Sequence, residues 1–272
     1  YTMNEIAETI KLPKELDQEW SIRGYYGSVS HDSKAVYQKY LGWYDNNPAN
    51  LNPLPPTEAG KKYVEYMGGA PAIIKKAKES YAKGEYRWVA EVMSKVVFAD
   101  PNNKEAKNLE ADALEQLGYQ TENGTWRNNY LMGAYELRNG VVANATSSAS
   151  PDTITAMTTD MLLDFMGIQL NAEKAAGKKM VLNWEQPDTK EKYTITLENS
   201  VLMYRKVDSF TNKADVTMSL PKTSLNNMLL KQTTMDKEIS EGRAKITGDR
   251  AKLQELMGMT DTFNPAFNIV TP

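Results

Sequence analysis

The sequence predicts a multidomain chain: an all-α, repeat-like N-terminal half followed by an α+β C-terminal half. Three observations predict it. From about residue 57 to residue 137 apolar residues recur at helical spacing, with Gly84 and Gly118, and likewise Ala77 and Ala111, 34 residues apart. From Ala143 to Pro151 the side chains turn small and polar (ANATSSASP), which reads as a boundary. Beyond it, the runs 179–184, 192–198, 200–206 and 214–220 alternate in the period of a strand. The domains are therefore placed at 1–142 and 152–272, with a linker at 143–151.

Taken in order, residues 2–20 read as a helix with Met3, Ile6, Ala7 and Ile10 on one face, interrupted at Pro13. GYYGSVSHD is a loop or short extended piece, after which Ser30 or Asp32 caps a helix from Ser33 to about Trp43. Ala35, Val36, Tyr37, Tyr40, Trp43 and Tyr44 make that helix apolar over a wide arc, so it is expected to be buried on two sides, in the core or against a second chain. Residues 46–56, NNPANLNPLPP, are an extended wrapping segment, and Thr57 opens a helix that Gly68 and Gly69 end. The next helices resemble a tetratricopeptide unit, with Tyr86 at the second helix and Pro101 in the exit turn; Val89 departs from the pattern, which expects a small residue there. A generic pair of helical hairpins is the alternative, and two units offer little concave surface for a peptide groove.

In the second half, Thr155–Asn171 reads as one helix and the four alternating runs as strands. Pro221 starts a short helix to about Leu230, residues 238–247 form a possible last strand, and Asp249 caps a helix to about Met257. Such an order gives an antiparallel or mixed sheet covered on one face.

Composition limits the chemistry. The 32 basic and 35 acidic side chains are spread evenly and leave a net charge of −3, which suggests neither nucleic-acid nor anionic-membrane binding. No stretch reaches the roughly 20 apolar residues of a membrane span. No signal peptide is visible, and the chain enters a helix-like pattern directly at Tyr1, so it is expected to begin inside a longer protein. Without cysteine there are no disulfides, thiolate sites or cysteine nucleophile. His31 is the only histidine, and there is no G-x-S-x-G, P-loop, G-x-G-x-x-G or H-E-x-x-H motif. One imidazole makes no conventional zinc site, and no catalytic residue is assigned.

RGYYGSVSHDSKAVYQKYLGWYDNNPANLNPLPP, then KYVEYMGG, YRWVAEVMSKVVFADPNN and ADALEQLGYQTENGTWRNNYL, closely resemble the bacterial alkyl sulfatases of the metallo-β-lactamase superfamily, the type that hydrolyses dodecyl sulfate. The resemblance covers essentially the whole chain. It implies a catalytic domain with an H-x-H-x-D-H zinc motif, then a helical dimerisation domain, then a domain similar to sterol carrier protein 2. H-x-H-x-D-H is absent here, so the chain looks like the last two domains, with the trailing edge of the catalytic one near 20–32. The resemblance also implies that His31 is a metal ligand lent to a site built mainly elsewhere. Zinc is then expected in the parent enzyme and not on this chain, and sulfate-ester hydrolysis by this chain alone is expected to stay at background. A periplasmic or secreted location is implied likewise.

Two roles follow as expectations. One is a homodimer with Tyr37, Tyr40, Trp43 and Tyr44 at its interface, for which packing of this surface against the absent catalytic domain is the alternative. The other is a tunnel for an alkyl chain or alkyl sulfate lined by Met161, Leu162, Phe165, Met166, Leu225, Met228, Leu229, Leu253, Leu256 and Met257, for which an ordinary Met-rich core is the alternative. A different class of protein also fits: a stand-alone carrier of apolar ligands with a tetratricopeptide-like interaction domain and no catalysis.

Overall fold

The computed structural model describes residues 1–142, 150–211 and 213–272. It contains two compact units: Tyr1–Asn144 together with Ala266–Pro272, and Ala145–Pro265. The first is helical and the second carries a mixed five-stranded sheet with helices, the all-α then α+β order read from the sequence. Residues 143–149 of the linker proposed at 143–151 lie outside the described residues.

The helical unit opens with α1 (Met3–Thr9) and α2 (Lys14–Asp17) on either side of the break at Pro13. Thr2 and Glu5 close a capping box at the start of α1. Helix α3 (Val29–Leu41) begins four residues earlier than the sequence suggested. Ser28, not Ser30 or Asp32, is its cap, because the Ser28 hydroxyl accepts the His31 N–H at 3.1 Å. Gly42, at φ +81°, ends the helix before Trp43. A short 3-10 turn, Pro48–Asn50, interrupts the proline-rich segment.

Five helices follow: α4 (Pro56–Tyr66), α5 (Ala70–Ala82), α6 (Tyr86–Ala99), α7 (Lys104–Gln120) and α8 (Gly124–Asn139). Their shared core holds Ile73, Val89, Met93, Val96, Ala111 and Leu137, each nearly closed to solvent. Burying each of the larger side chains stabilises the unit by about 1.5–3 kcal/mol. Val89, the departure from the repeat pattern, is wholly buried.

The 34-residue spacing is half structural. Ala77 and Ala111 are both buried on the first helix of a hairpin, whereas the two glycines differ in role. Gly84 supplies a turn at φ +79°, while Gly118 lies inside α7, where a Cβ would come within 2.9 Å of Leu131. Among the glycines of these helices the closest backbone approach is at Gly60 of α4: a Cβ there would stand 2.6 Å from the Lys95 carbonyl of α6. Any side chain at that position would force the two helices apart.

In the second unit, α9 (Pro151–Ala156) and α10 (Thr159–Gln169) replace the single helix expected over 155–171. The break arises at Thr158, whose hydroxyl accepts the Met161 N–H at 3.2 Å and starts a new helix. Then come β1 (Met180–Gln186), β2 (Glu191–Glu198), β3 (Val201–Lys206), β4 (Val216–Ser219), α11 (Lys222–Leu229), α12 (Met235–Ser240), β5 (Lys245–Gly248) and α13 (Arg250–Gly258).

The strand order is β3-β2-β1-β4-β5, antiparallel except between β1 and β4. Register places Trp184 opposite Tyr193 and Met218, and Leu182 opposite Ile195 and Val216, so one face is continuously apolar. Leu163, Met166, Leu225, Met228, Ile239 and Leu253 of the helices cover that face.

The strand expected over 238–247 is instead the end of α12, a turn and β5. The reason is Glu238, a carboxylate 1% exposed that accepts hydrogen bonds from Ser224 (2.5 Å), Thr233 (2.7 Å) and both Nε (2.7 Å) and Nη2 (2.6 Å) of Arg243. An extended chain could not return Arg243 to a residue five positions away. Arg243, followed by the two hydroxyls, holds the Glu238 carboxyl far below the usual carboxylate range, so the ion pair stands at neutral pH and is lost only in strong acid.

Candidate functional site

In the helical unit the loop Arg23–Ser28 is clamped to the N-terminus of α8. Gly124 N–H donates to the Tyr25 carbonyl (2.7 Å), and Asn123 Nδ2 (2.5 Å) and Thr125 Oγ1 (2.9 Å) both donate to the Tyr26 carbonyl. Asn123 is itself buried; its Oδ1 caps α8 by accepting the Trp126 N–H at 2.8 Å. Arg23 pairs with Glu122 at 2.8 Å. The loop turns tightly at Gly24, where a Cβ would meet the Gly27 carbonyl oxygen at 2.8 Å. One asparagine thus both starts a helix and fixes the backbone ahead of His31.

The Trp126 indole N–H donates to His31 Nδ1 at 3.1 Å, with the two rings edge to face at 5.9 Å between centroids. Lys34 Nζ lies 5.9 Å from the centre of the same indole. Trp126 and Lys34, but not His31, border a cleft of about 1110 Å³ that also takes in Glu8 of α1 and Arg87 of α6, paired at 2.9 Å.

Within this chain the Trp126 indole is thus the partner of His31 Nδ1. Among the described residues, no group of three or more histidine or carboxylate side chains converges where a metal could sit. The residues present do not by themselves fit a zinc ion.

The four interface candidates fall at the C-terminal end of α3 and in the turn after it. Tyr40 is 77% exposed and Trp43 67%, while Tyr37 and Tyr44 are half-buried. Leu41 (66%) and Val36 (57%) extend the same exposed apolar stretch. No residue of α3 is buried, so the helix is not enclosed on two sides within the chain.

Of the tunnel candidates, Met166, Leu225, Met228 and Leu253 pack together against the apolar face of the sheet, while the others are spread. Met161, Phe165, Leu229 and Met257 are exposed; Leu162, Met166, Leu225, Met228 and Leu253 are half-buried. Leu256 is buried with Ala175, Met180, Leu197 and Met259 in a separate cluster. A groove of about 360 Å³ runs between α10 and β3, lined by Leu163, Gly167, Ile168, Val201, Leu202 and Tyr204 among others, and by none of those candidates. Sequence reasoning missed both this groove and the Trp126 contact. The groove's residues read as plain strand and helix, and Trp126 is 95 positions from His31.

Residues 2–140 match the alkyl sulfatase dimerisation family, and residues 147–272 match the alkyl sulfatase C-terminal family. The chain is 54% identical over its whole length to a linear primary-alkylsulfatase of Pseudomonas sp., covering 40% of that protein. It is 49% identical, again over its whole length, to an alkyl/aryl-sulfatase of Saccharomyces cerevisiae, covering 42% of it. The solved structure of a stereoselective inverting sec-alkylsulfatase from Pseudomonas sp. superposes on the entire chain with a TM-score of 0.91 at 47% identity, over 43% of that structure's chain.

Proposed function

The chain belongs to the alkyl sulfatase family, of which it spans the dimerisation and C-terminal parts, and on that premise we propose that it joins two subunits of an enzyme hydrolysing long-chain alkyl sulfate esters. The observation that carries this reading is the exposed run Val36, Tyr40, Leu41 and Trp43. Aromatic and aliphatic side chains gathered at one helix end are the composition of an interface core. They lie within the region matched to the dimerisation family. Zinc belongs to the parent enzyme, where His31 would join a site built mainly by donors outside these 272 residues.

The absence of cysteine makes the test direct. A chain carrying Tyr40→Cys, treated with a short bis-maleimide at micromolar concentration, is expected to give a species of twice the chain mass, and Lys62→Cys much less of it. Equal yields from the two positions would place the contact elsewhere.

The C-terminal unit is the alkyl-chain-holding part in this reading. Exposed Met161, Phe165 and Ile168 on α10, beside the groove against β3, support it. A fluorescent dodecyl-chain probe is expected to bind the chain saturably; purely linear partitioning with no saturation would remove this half of the reading.

A further inference from the structure

The last residues of the sequence, Ala266–Pro272, are part of the helical unit and run along α8 without helix or strand of their own. Ile269 N–H (2.8 Å) and Val270 N–H (3.1 Å) both donate to one oxygen, Oε1 of Glu136, a carboxylate 8% exposed. Val270 packs on the helical core where Gly133 leaves room: a Cβ at 133 would stand 3.4 Å from Val270 Cγ1. Ile269 and Phe267 point outward and are largely exposed. The segment is thus held by two charge-assisted main-chain hydrogen bonds and one inserted side chain. A buried carboxylate that takes consecutive main-chain N–H groups, beside a notch for a β-branched residue, is the chemistry of a peptide receptor.

We propose that the face of α8 around Gly133 and Glu136 is a peptide-docking site, and that its occupant, Ala266–Pro272 of this chain, is an exchangeable ligand and not fixed core. A tether raises the local concentration of such a segment to about the millimolar range, so modest intrinsic affinity keeps the site filled. The main-chain contacts make recognition tolerant of sequence at position 269, and the notch makes it selective at Val270.

The test is a labelled synthetic peptide of residues 262–272, followed by fluorescence anisotropy. A chain ending at Pro265 is expected to bind it saturably, the full chain about tenfold or more weakly because its own segment competes, and a peptide with Val270→Asp not at all. Absence of binding by a truncated chain that keeps its circular dichroism overturns the proposal. Should truncation prevent folding, amide hydrogen exchange on the full chain decides. An exchangeable ligand has Ile269 and Val270 amides exchanging faster than Val96, slower than in free peptide, and at the free-peptide rate in Glu136→Ala with Val96 unchanged. Protection equal to that of Val96, or none at all, overturns the proposal.

Discussion

Replacing Tyr40 and Trp43 together by glutamate is expected to leave the chain folded and to convert it to a monomer at micromolar concentration. Both side chains are mostly exposed within the chain, so little folding stability rests on them. The core of the helical unit lies elsewhere, in α5 to α8 around Val89, Met93 and Val96. At an interface, by contrast, aromatic anchors of this kind are each worth about 2 kcal/mol or more, and a carboxylate in their place must be desolvated without a partner. Losing two of them weakens association by about a thousandfold or more. A double variant that unfolds at the same urea concentration as the parent but still sediments as a dimer would show that the contact uses another surface.

The second large effect concerns Glu110. This residue of α7 is 4% exposed, its Oε2 meets no hydrogen-bond donor among the described residues, and burial pushes its carboxyl pKa up to about 8. In the unfolded chain the same group titrates near 4.5. The folded state therefore binds one more proton than the unfolded state between those values, and stability falls as pH rises through that window. Each unit of displacement corresponds to about 1.4 kcal/mol, so the loss approaches about 5 kcal/mol on the alkaline side. Glu110→Gln keeps the shape and removes the titration. Urea unfolding at pH 5 and pH 8.5 is expected to show similar stabilities for parent and variant at the lower pH and a more stable variant at the higher one. A difference between them that does not change with pH would contradict the assignment.

Most of the fold was legible in the sequence because its signals are local. Met180, Leu182 and Trp184 alternate along one strand, and in the structure all three are buried. Gly68 and Gly69 end α4 where their positive φ angles require glycine. The misreadings sit where one side chain decides between two local patterns: Ser28 starts α3 early, Thr158 divides a helix in two, and Glu238 draws Arg243 back through a turn.

What could not be read is long-range. Asn123 holding the loop before His31, Trp126 facing His31, and Glu136 holding Val270 pair residues about a hundred or more positions apart, and no periodicity records them. The aromatic density around residues 37–44 was visible from the start. That it is outward-facing follows only from seeing that the core is complete without it. His31 illustrates the same limit, since its motif suggests a ligand while its contact with Trp126, 95 positions away, shows only in the structure.

The pairing of two chains through the end of α3 is tested most directly by sedimentation equilibrium of the unmodified chain at micromolar concentration. The exposed Tyr40–Trp43 surface requires a mass twice that of the 30.6 kDa chain; a single species at the monomer mass would contradict it.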